Sequence, residues 1–200
     1  MELKTKQERL SYAVGVQIAG NLSQSGFNDM DTDILMNGIT DVLAKKELAL
    51  NTEEVLAAIN ESYEEFKSKA EGENDSAGKA FLEENKKKEG IIELPSGLQY
   101  RIVKEGIGAK PTLTDNVTTH YEGKTIDGNI FDSSYQRNEP ASFPVNGVIA
   151  GWTEALQLMS EGAAYELFIP SELAYGKQGA GVDIAPNSTL IFKVELVSVN

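Results

Sequence analysis

Cysteine is absent from this chain of 200 residues, and histidine and tryptophan each occur once. Without cysteine there is no disulfide, no thiolate nucleophile and no sulfur-ligated metal, which fits a reducing compartment. His120 stands alone in a run of β-prone residues, so we interpret it as a hydrogen-bonded core imidazole rather than a general base. Neither a metal cluster, nor a serine–histidine–acid set, nor a dinucleotide fingerprint can be drawn. The sequence therefore predicts no metal and no cofactor.

Positive charge is scarce as well. The chain has 18 Lys and Arg residues against 31 Asp and Glu residues, which gives a net charge of −13. Such a chain repels phosphate groups, so nucleic acid and anionic membranes are poor partners. No apolar run approaches the roughly 20 residues of a membrane span. Residues 1–8 also lack the apolar segment of a signal peptide, which predicts a cytoplasmic protein, or a periplasmic one if a leader has been removed.

The N-terminal half has the spacing of helices. Apolar and small residues predict a first helix over 9–26, with Gly26 as its C-cap. A second helix is expected to begin at Asp31 or Thr32 and to run to about Lys46. Two such short helices leave apolar stripes uncovered, so a second chain is the natural cover.

A third helix is predicted to begin at a capping box in which Asn51 is followed three residues later by Glu54. Its apolar spacing continues across the polar segment 71–76 and ends before Gly90. Preserved register across a gap favours one long helix over about 52–88. The alternative is a hinge, with Asp75 or Ser76 capping a new helix.

The C-terminal half changes to the spacing of strands. Alternating apolar residues predict strands over 98–103, 116–121, 163–170 and 190–196, with a hairpin turn at Asp127-Gly128. Only the segment 151–159 reads as helical here. One helix against an antiparallel sheet is an α+β domain.

Aromatic side chains gather in this half. Tyr121 and Phe131 lie on the two arms of the hairpin, Trp152 begins the helix, and Tyr175 lies in a glycine-rich loop over 174–186. Rings with few polar atoms are the usual lining of a small-ligand pocket. Asp132 is the carboxylate that the hairpin brings to the same place.

Several motifs occur in a fixed order in this half: His120-Tyr121-x-Gly, Asp127-Gly-x-x-Phe131-Asp132-Ser-Ser, Val148-Ile149-x-Gly-Trp152, Ala174-Tyr175-Gly176 and Pro186-x-x-x-Leu190-x-Phe192. As a set they resemble the FK506-binding (FKBP) class of peptidyl-prolyl cis–trans isomerases over residues 95–200. The earlier part of the chain resembles the helical dimerisation module of the FklB/FkpA/macrophage-infectivity-potentiator branch. That likeness lies in Gly78-x-x-Phe81-Leu82-x-x-Asn85 and Ser96-Gly97-Leu98-Gln99-Tyr100.

The resemblance implies an α+β isomerase domain over 95–200, a half-barrel of five or six antiparallel strands wrapped on one short helix. An all-α dimerisation domain with a long connecting helix would occupy 1–94. The prolyl ring of a substrate would sit over Trp152, in a pocket walled by Tyr121, Phe131, Val148, Ile149, Tyr175, Ile184 and Phe192, with Asp132 at its edge.

The resemblance also implies roles. The Ile149 N–H would bind the substrate carbonyl and the Tyr175 hydroxyl would orient the chain, while Asp132 either aligns Tyr121 or polarises the amide. The chain departs from many small members at Ala141, where they carry a pocket aromatic. It also departs at Ala180 and Asp183, where they carry a histidine and an apolar residue. These departures are expected to affect substrate preference and macrolide affinity more than the reaction.

The expected protein is thus a homodimeric prolyl isomerase with chaperone activity, acting on proline-containing polypeptides and inhibited by FK506-like macrolides. The runner-up is a non-enzymatic chaperone or scaffold that uses the same pocket only for binding. A third interpretation, a monomer whose helical half binds another protein, stays open at this point.

Overall fold

The computed structural model describes residues 1–24, 27, 29–181 and 183–200, without the side chains of Gln24 and Phe66. The chain forms two compact units, residues 1–68 and residues 69–200. The functional division predicted at residue 94 stays a prediction. The predicted C-cap of the first helix, Gly26, lies outside the described residues.

All of the regular secondary structure described in the first unit is helical. Helix α1 covers Lys6–Gln24, α2 covers Thr32–Leu43, and the unit also includes the first half of α3, which covers Thr52–Asn85. The predicted caps are confirmed for α2 and α3. The Asp31 carboxylate accepts from two backbone N–H groups of α2, and Asn51 and Glu54 form the reciprocal capping box of α3.

Helix α1 begins three residues earlier than predicted. Thr5 and Glu8 form a second capping box, with the Glu8 N–H donating to Thr5 Oγ1 over 3.1 Å and the Thr5 N–H donating to Glu8 Oε2 over 2.9 Å. The pattern Thr-x-x-Glu carries this signal at the sequence level. Helix α2 ends at Leu43, three residues before the predicted end at Lys46.

None of the described side chains in residues 1–68 is buried. Large apolar residues are exposed on all of its helices, including Val16 at 55%, Val42 at 61% and Leu56 at 56%. A compact helical unit is normally stabilised by an apolar face buried against another element. The described residues of this unit have such faces but form no buried core.

Helix α3 runs without interruption from Thr52 to Asn85, which confirms one long helix and rules out the hinge at Asp75 or Ser76. It ends three residues before the predicted Lys88. The second half of α3 belongs to the unit of residues 69–200 and packs directly on it. The Phe81 ring lies 6.0 Å from the Phe168 ring.

Two further contacts fix the end of α3. At Gly78, an added Cβ would lie 3.2 Å from the Thr189 Cβ and closer still to its hydroxyl, so the helix approaches Thr189 only because Gly78 lacks a side chain. Asn85 and Gln99 are both buried, and Asn85 Nδ2 donates to Gln99 Oε1 over 3.0 Å. Gln99 in turn donates to the Leu82 carbonyl over 3.0 Å. The motif over residues 78–85 therefore supplies the contacts that hold the end of α3 against the rest of this unit.

One antiparallel sheet makes up most of the second unit. In the described residues it has seven strands in the order β1-β2-β6-β7-β3-β4, and β5 pairs with β3. The strands are β1 (Ile91–Glu93), β2 (Gln99–Lys104), β3 (Asn116–Thr125), β4 (Ile130–Ser133), β5 (Ala141–Pro144), β6 (Ala164–Ile169) and β7 (Leu190–Val199). The expected count of five or six strands was too low because β1 and β5, of three and four residues, carry too little alternation to be seen.

Two helices accompany the sheet. Helix α4 is a single turn over Ser134–Arg137, which the sequence did not indicate, and α5 covers Ala150–Leu156. Helix α5 is shorter than the predicted 151–159 because residues 157–159 form a turn. The core lies between α5 and the sheet, where Leu156, Met159 and Leu167 are fully buried. No helix in the described ranges has the length and apolar character needed to cross a bilayer.

The close contact of α3 with Thr189 predicts opposite effects on stability when two glycines of this helix are replaced by alanine. Gly72 has no atom within 4 Å of an added Cβ, whereas Gly78 faces Thr189. Alanine is the better helix former by about 1 kcal/mol, so we expect Gly72→Ala to stabilise the chain by up to that amount. We expect Gly78→Ala to destabilise it by about 1–2 kcal/mol, since overpacking outweighs the gain in helix propensity.

Urea unfolding of the full-length protein, followed by the fluorescence of its single tryptophan, measures both changes. Equal stabilisation by the two alanines would contradict the close approach of α3 to Thr189.

Candidate functional site

A cavity of about 500 Å³ opens between α5, the hairpin arms and the loop before β7. The structure brings all nine predicted site residues to this one cavity. Its lining consists of Tyr121, Phe131, Asp132, Phe143, Gly147, Val148, Ile149, Trp152, Tyr175, Ile184 and Phe192. The sequence therefore located the cavity, although it missed Phe143 and Gly147.

Trp152 lies at the first turn of α5 and is 96% buried by its neighbours. Three rings meet it edge to face, those of Tyr121 at 5.3 Å, Phe143 at 5.4 Å and Phe192 at 5.3 Å between centroids. Its indole Nε1 is buried with no hydrogen-bond partner among the described residues. Buried polar atoms are nearly always paired, so this N–H marks a site with few polar groups.

The side walls depend on a glycine in β3. A Cβ at Gly123 would lie 2.5 Å from the Phe192 ring and 2.7 Å from the Phe131 ring. Because position 123 has no side chain, these two rings meet across the strand at a centroid distance of 5.5 Å. The Gly of the motif His120-Tyr121-x-Gly thus makes room for two walls of the cavity.

The polar edge of the cavity is a cluster of three side chains. The Tyr121 hydroxyl donates to Asp132 Oδ2 over 2.5 Å. Arg137 of α4 donates to the other oxygen of Asp132 and, over 3.0 Å, to the Tyr121 hydroxyl. Its guanidinium also lies over the Tyr121 ring, 5.7 Å from the centroid. Asp132 is therefore held by two donors and in turn fixes the orientation of Tyr121.

These contacts determine the ionisation of the cluster. Burial alone would raise the pKa of Asp132, but the hydrogen bonds from Tyr121 and Arg137 outweigh it and hold this pKa below its ordinary value. Burial also raises the pKa of Tyr121, and the bond to the Asp132 carboxylate raises it further. At neutral pH the edge of the cavity therefore carries an ionised carboxylate and a neutral phenol.

Ile149 is the residue that precedes α5. Its carbonyl accepts from the backbone N–H groups of Trp152 and Thr153, both over 3.0 Å, so its own backbone is fixed by the helix. Within the described chain no acceptor lies at the Ile149 N–H. A donor that faces a cavity at the start of a helix is free to bind a carbonyl oxygen.

Tyr175 and Ile184 reach the cavity from the loop between β6 and β7. Tyr175 is 41% exposed, and no described residue hydrogen-bonds its hydroxyl. Ile184 is buried, and its backbone pairs with Ala180 in both directions. Gly179 permits this pairing, since its φ is +64° and a Cβ there would meet the Ala185 carbonyl carbon at 3.0 Å.

Besides Gly147, the sequence did not reveal two side chains of the site, those of Phe143 and Arg137. Phe143 shares one face of β5 with Ala141, the position where an aromatic was expected from the resemblance, and both are half-buried. The cavity thus has an aromatic wall from β5, two residues after that position. Arg137 lies five residues after Asp132, and its only sequence signal is a cation close to a predicted site carboxylate.

His120 lies outside the cavity. Its Nδ1 is 3.0 Å from the Ser134 hydroxyl, and its ring stacks on that of Tyr135 at 5.0 Å. The predicted hydrogen bond of this imidazole is confirmed, but the ring is half-buried and does not lie in the core. The described residues contain no cluster of His, Asp and Glu side chains that could hold a metal ion.

A second cavity lies in the helical unit and differs in character. This groove of about 710 Å³ is almost wholly apolar, and its lining includes Ile34, Leu35, Val42, Leu43, Leu48 and Leu50. Among the described residues that line it, Asp41 is the one with a titratable side chain. Its chemistry is that of an uncovered hydrophobic surface rather than of a catalytic site.

Two family models match the chain. The model described as FKBP-type peptidyl-prolyl cis-trans isomerase matches residues 108–197, and the model described as the domain amino terminal to FKBP-type peptidyl-prolyl isomerase matches residues 7–102. Together they span parts of both units; the second match ends at residue 102 within β2, and the first begins at residue 108.

Individual relatives agree with the family models. The chain is 46% identical to the FKBP-type 22 kDa peptidyl-prolyl cis-trans isomerase of Escherichia coli K12, with 98% of this chain and 96% of that protein covered. It is 44% identical to the outer membrane protein MIP of Legionella longbeachae, covering 98% and 87%. The crystal structure of FkpA from Escherichia coli matches with a TM-score of 0.73 and 36% identity, covering 100% of this chain and 99% of that one. The chain belongs to the FKBP-type peptidyl-prolyl cis–trans isomerases.

Proposed function

We propose that the aromatic cavity is the isomerase site and that the ring of a substrate proline sits over Trp152. The observation that carries this proposal is the combination of an apolar aromatic floor at Trp152 with the Ile149 N–H, which has no acceptor among the described residues. A prolyl ring is apolar and fits such a floor, while its peptide bond needs a donor for the carbonyl. The runner-up from the sequence, a pocket used for binding alone, lacks support because the family is enzymatic.

The physical basis of catalysis is the change in polarity as the bond rotates. Rotation about a peptide bond has a barrier of about 18–20 kcal/mol because the twisted amide loses its resonance. The twisted amide is less polar than the planar one, so a dry aromatic site stabilises the transition state more than the ground state. Stabilisation of about 5 kcal/mol corresponds to a rate enhancement of roughly 10³–10⁴. No proton transfer is needed.

Each polar group has a role that fits its geometry. The Ile149 N–H binds a substrate carbonyl, and the unpaired Tyr175 hydroxyl orients the substrate chain. Asp132 accepts the Tyr121 hydroxyl and so aligns that ring against Trp152. This favours alignment over direct polarisation of the amide, because both Asp132 oxygens already accept from Tyr121 and Arg137.

We also propose that the helical unit forms a homodimer and that the dimer acts as a chaperone. The support is physical, since residues 1–68 contain no buried described side chain and expose a large apolar groove. A second copy of the same unit would cover these faces. Two isomerase sites on one dimer could then hold one unfolded proline-containing chain, with a raised effective concentration at the second site. FK506-like macrolides are the inhibitors expected for the aromatic cavity.

The name of one relative bears on the cellular compartment of this protein. The Legionella longbeachae relative is named an outer membrane protein, and that name gives no support to a cytoplasmic location for this chain. A periplasmic location is consistent with it. Fractionation of cells that produce the protein from its own gene would decide between the two compartments.

The site roles predict the effect of removing two polar groups. We expect Asp132→Val combined with Tyr175→Phe to lower kcat/KM for a Leu-Pro peptide by about tenfold to a hundredfold, because a charged and a neutral hydrogen-bond partner are lost. Tyr135→Phe is the control, since it removes a hydroxyl outside the cavity. An unchanged rate in the double variant would refute the assignment.

The ionisation of Asp132 predicts a flat pH profile. Since its pKa lies below the ordinary value of about 3.9, the carboxylate stays ionised from about pH 5 to pH 8. We expect kcat/KM to vary by less than about twofold over this range. The stabilisation from this carboxylate is present above its unfolded-state pKa and is lost only as the pH falls through the folded-state value. A titration near pH 6 in kcat/KM would contradict a mechanism without acid or base.

The dimer proposal predicts different effects from two matched charges on α3. Ile59 is 49% exposed on the apolar face, whereas Ala57 lies on the opposite face of the same helix. We expect Ile59→Glu to weaken association by at least tenfold and Ala57→Glu to leave it nearly unchanged, because only the first buries a charge at the interface. Sedimentation equilibrium of the full chain measures both. A monomeric unmodified chain would overturn the proposal.

A further inference from the structure

The second half of α3 contacts the loop that carries two residues of the cavity. This pocket loop consists of residues 174–181 and 183–187. Asn74 Nδ2 of α3 donates to the Pro186 carbonyl over 2.8 Å. In the opposite direction, Asn187 Nδ2 of the loop donates to the Glu71 carbonyl of α3 over 3.2 Å. All these residues lie within the compact unit of residues 69–200.

A further hydrogen bond, within the pocket loop, connects Asn187 to the residue that follows Tyr175. The Asn187 N–H donates to the Gly176 carbonyl over 2.8 Å, so the two ends of the loop are joined next to Tyr175. Asn187 has a φ of +56°, a conformation that asparagine tolerates better than most residues. One residue therefore bonds to the helix through its side chain and to the base of Tyr175 through its backbone.

The Tyr175 side chain is partly exposed at the cavity. It is 41% exposed, and no described residue hydrogen-bonds its hydroxyl. The residues that follow it are Gly176 with a φ of +54° and Gly179 with a φ of +64°. Glycines give a loop many conformations when nothing fixes it. The bonds from α3 to Pro186 and Asn187 therefore limit the conformations of the loop end that carries Tyr175.

We infer that Asn74 and Asn187 are positioning residues for the isomerase site, which hold Tyr175 over the cavity by bonding the pocket loop to the second half of α3. This rests on the proposed function of the cavity. The helix is then part of the structural support of the active site, in addition to connecting the two units. The isomerase domain predicted to begin at residue 95 would lack this support.

The expected size of the effect follows from the strength of the bonds. A hydrogen bond to a neutral carbonyl changes a local equilibrium by a factor of about 2 to 10. If the substrate binds only to the ordered loop, kcat/KM falls with the fraction of ordered loop. The ordered fraction falls by no more than the equilibrium constant does, so we expect each single substitution to lower kcat/KM measurably and by about tenfold at most.

Two substitutions remove the side-chain donors and leave the backbone able to adopt its conformation. Asn74→Ala places a good helix former in α3. Asn187→Gly keeps a residue that readily adopts positive φ and retains the N–H that bonds to Gly176. Ser76→Ala, at an exposed position of α3 outside these contacts, is the matched control. All are made in the full-length chain.

The measurements separate positioning from a general loss of stability. Isomerisation of a Leu-Pro peptide gives kcat/KM, and the emission of Trp152, the one tryptophan, gives the unfolding midpoint. Amide hydrogen exchange of the pocket loop reports its order directly. We expect faster loop exchange and lower kcat/KM in Asn74→Ala and Asn187→Gly, and neither change in Ser76→Ala.

A double-mutant cycle with Tyr175→Ala tests whether the asparagines act through Tyr175. If they do, Asn74→Ala and Asn187→Gly change kcat/KM by less than about twofold when Tyr175 is already absent. An equal loss with and without Tyr175 would overturn the inference, as would loop exchange and kcat/KM equal to those of Ser76→Ala. Failure of the proposed function has a different signature, since the unmodified chain would then not catalyse isomerisation at all, which overturns the inference as well.

Discussion

The burial of Trp152 at the start of α5 is the constraint on which the isomerase unit depends. The indole can form the floor of a cavity only if α5 lies very close to the sheet. Gly151 permits this, since a Cβ there would meet Ile169 Cγ2 at 2.5 Å. The Ile149 carbonyl accepts from two N–H groups of the first turn of α5, while no acceptor among the described residues is bonded to its own N–H. In the proposed mechanism, one glycine before the tryptophan thus brings the apolar floor close to the donor that would bind a substrate carbonyl.

The aromatic walls and the polar edge depend on the same geometry. Gly123 allows Phe131 and Phe192 to meet across β3, and Phe192 then packs edge to face on Trp152. Tyr121 completes the enclosure, and its hydroxyl is directed to Asp132 rather than to the floor. The single carboxylate is therefore kept at the edge by its own hydrogen bonds. A charge at the floor would favour the planar, polar amide and oppose its rotation.

The sequence predicted much of this site because its signals are local. The Asp-Gly turn, the run before Trp152 and the strand alternation of β7 each lie within a few residues, so periodicity and turn chemistry identify these elements. The resemblance to the FKBP class then implied that their side chains line one pocket. The sequence did not predict Phe143 as a site residue, because β5 has only four residues and ends at Pro144. The contacts of Asn74 with Pro186 and of Gly78 with Thr189 were not predicted for a different reason. They join residues more than 100 positions apart, and a helical pattern shows which face is apolar without showing what that face meets.

The two units obtain their stability in different ways, and this bears on the proposed dimer. Residues 69–200 bury a continuous core, so their folding does not require a partner. Residues 1–68 bury no described side chain, and in the proposed dimer their folding would be coupled to association. The stability of that unit would then rise with protein concentration, whereas that of the isomerase unit would not. Helix α3 belongs to both units, and its second half is held within residues 69–200 by the buried pair Asn85 and Gln99. The bonds from α3 to the pocket loop lie on that held half, so the isomerase site would keep its geometry even where the helical units dissociate.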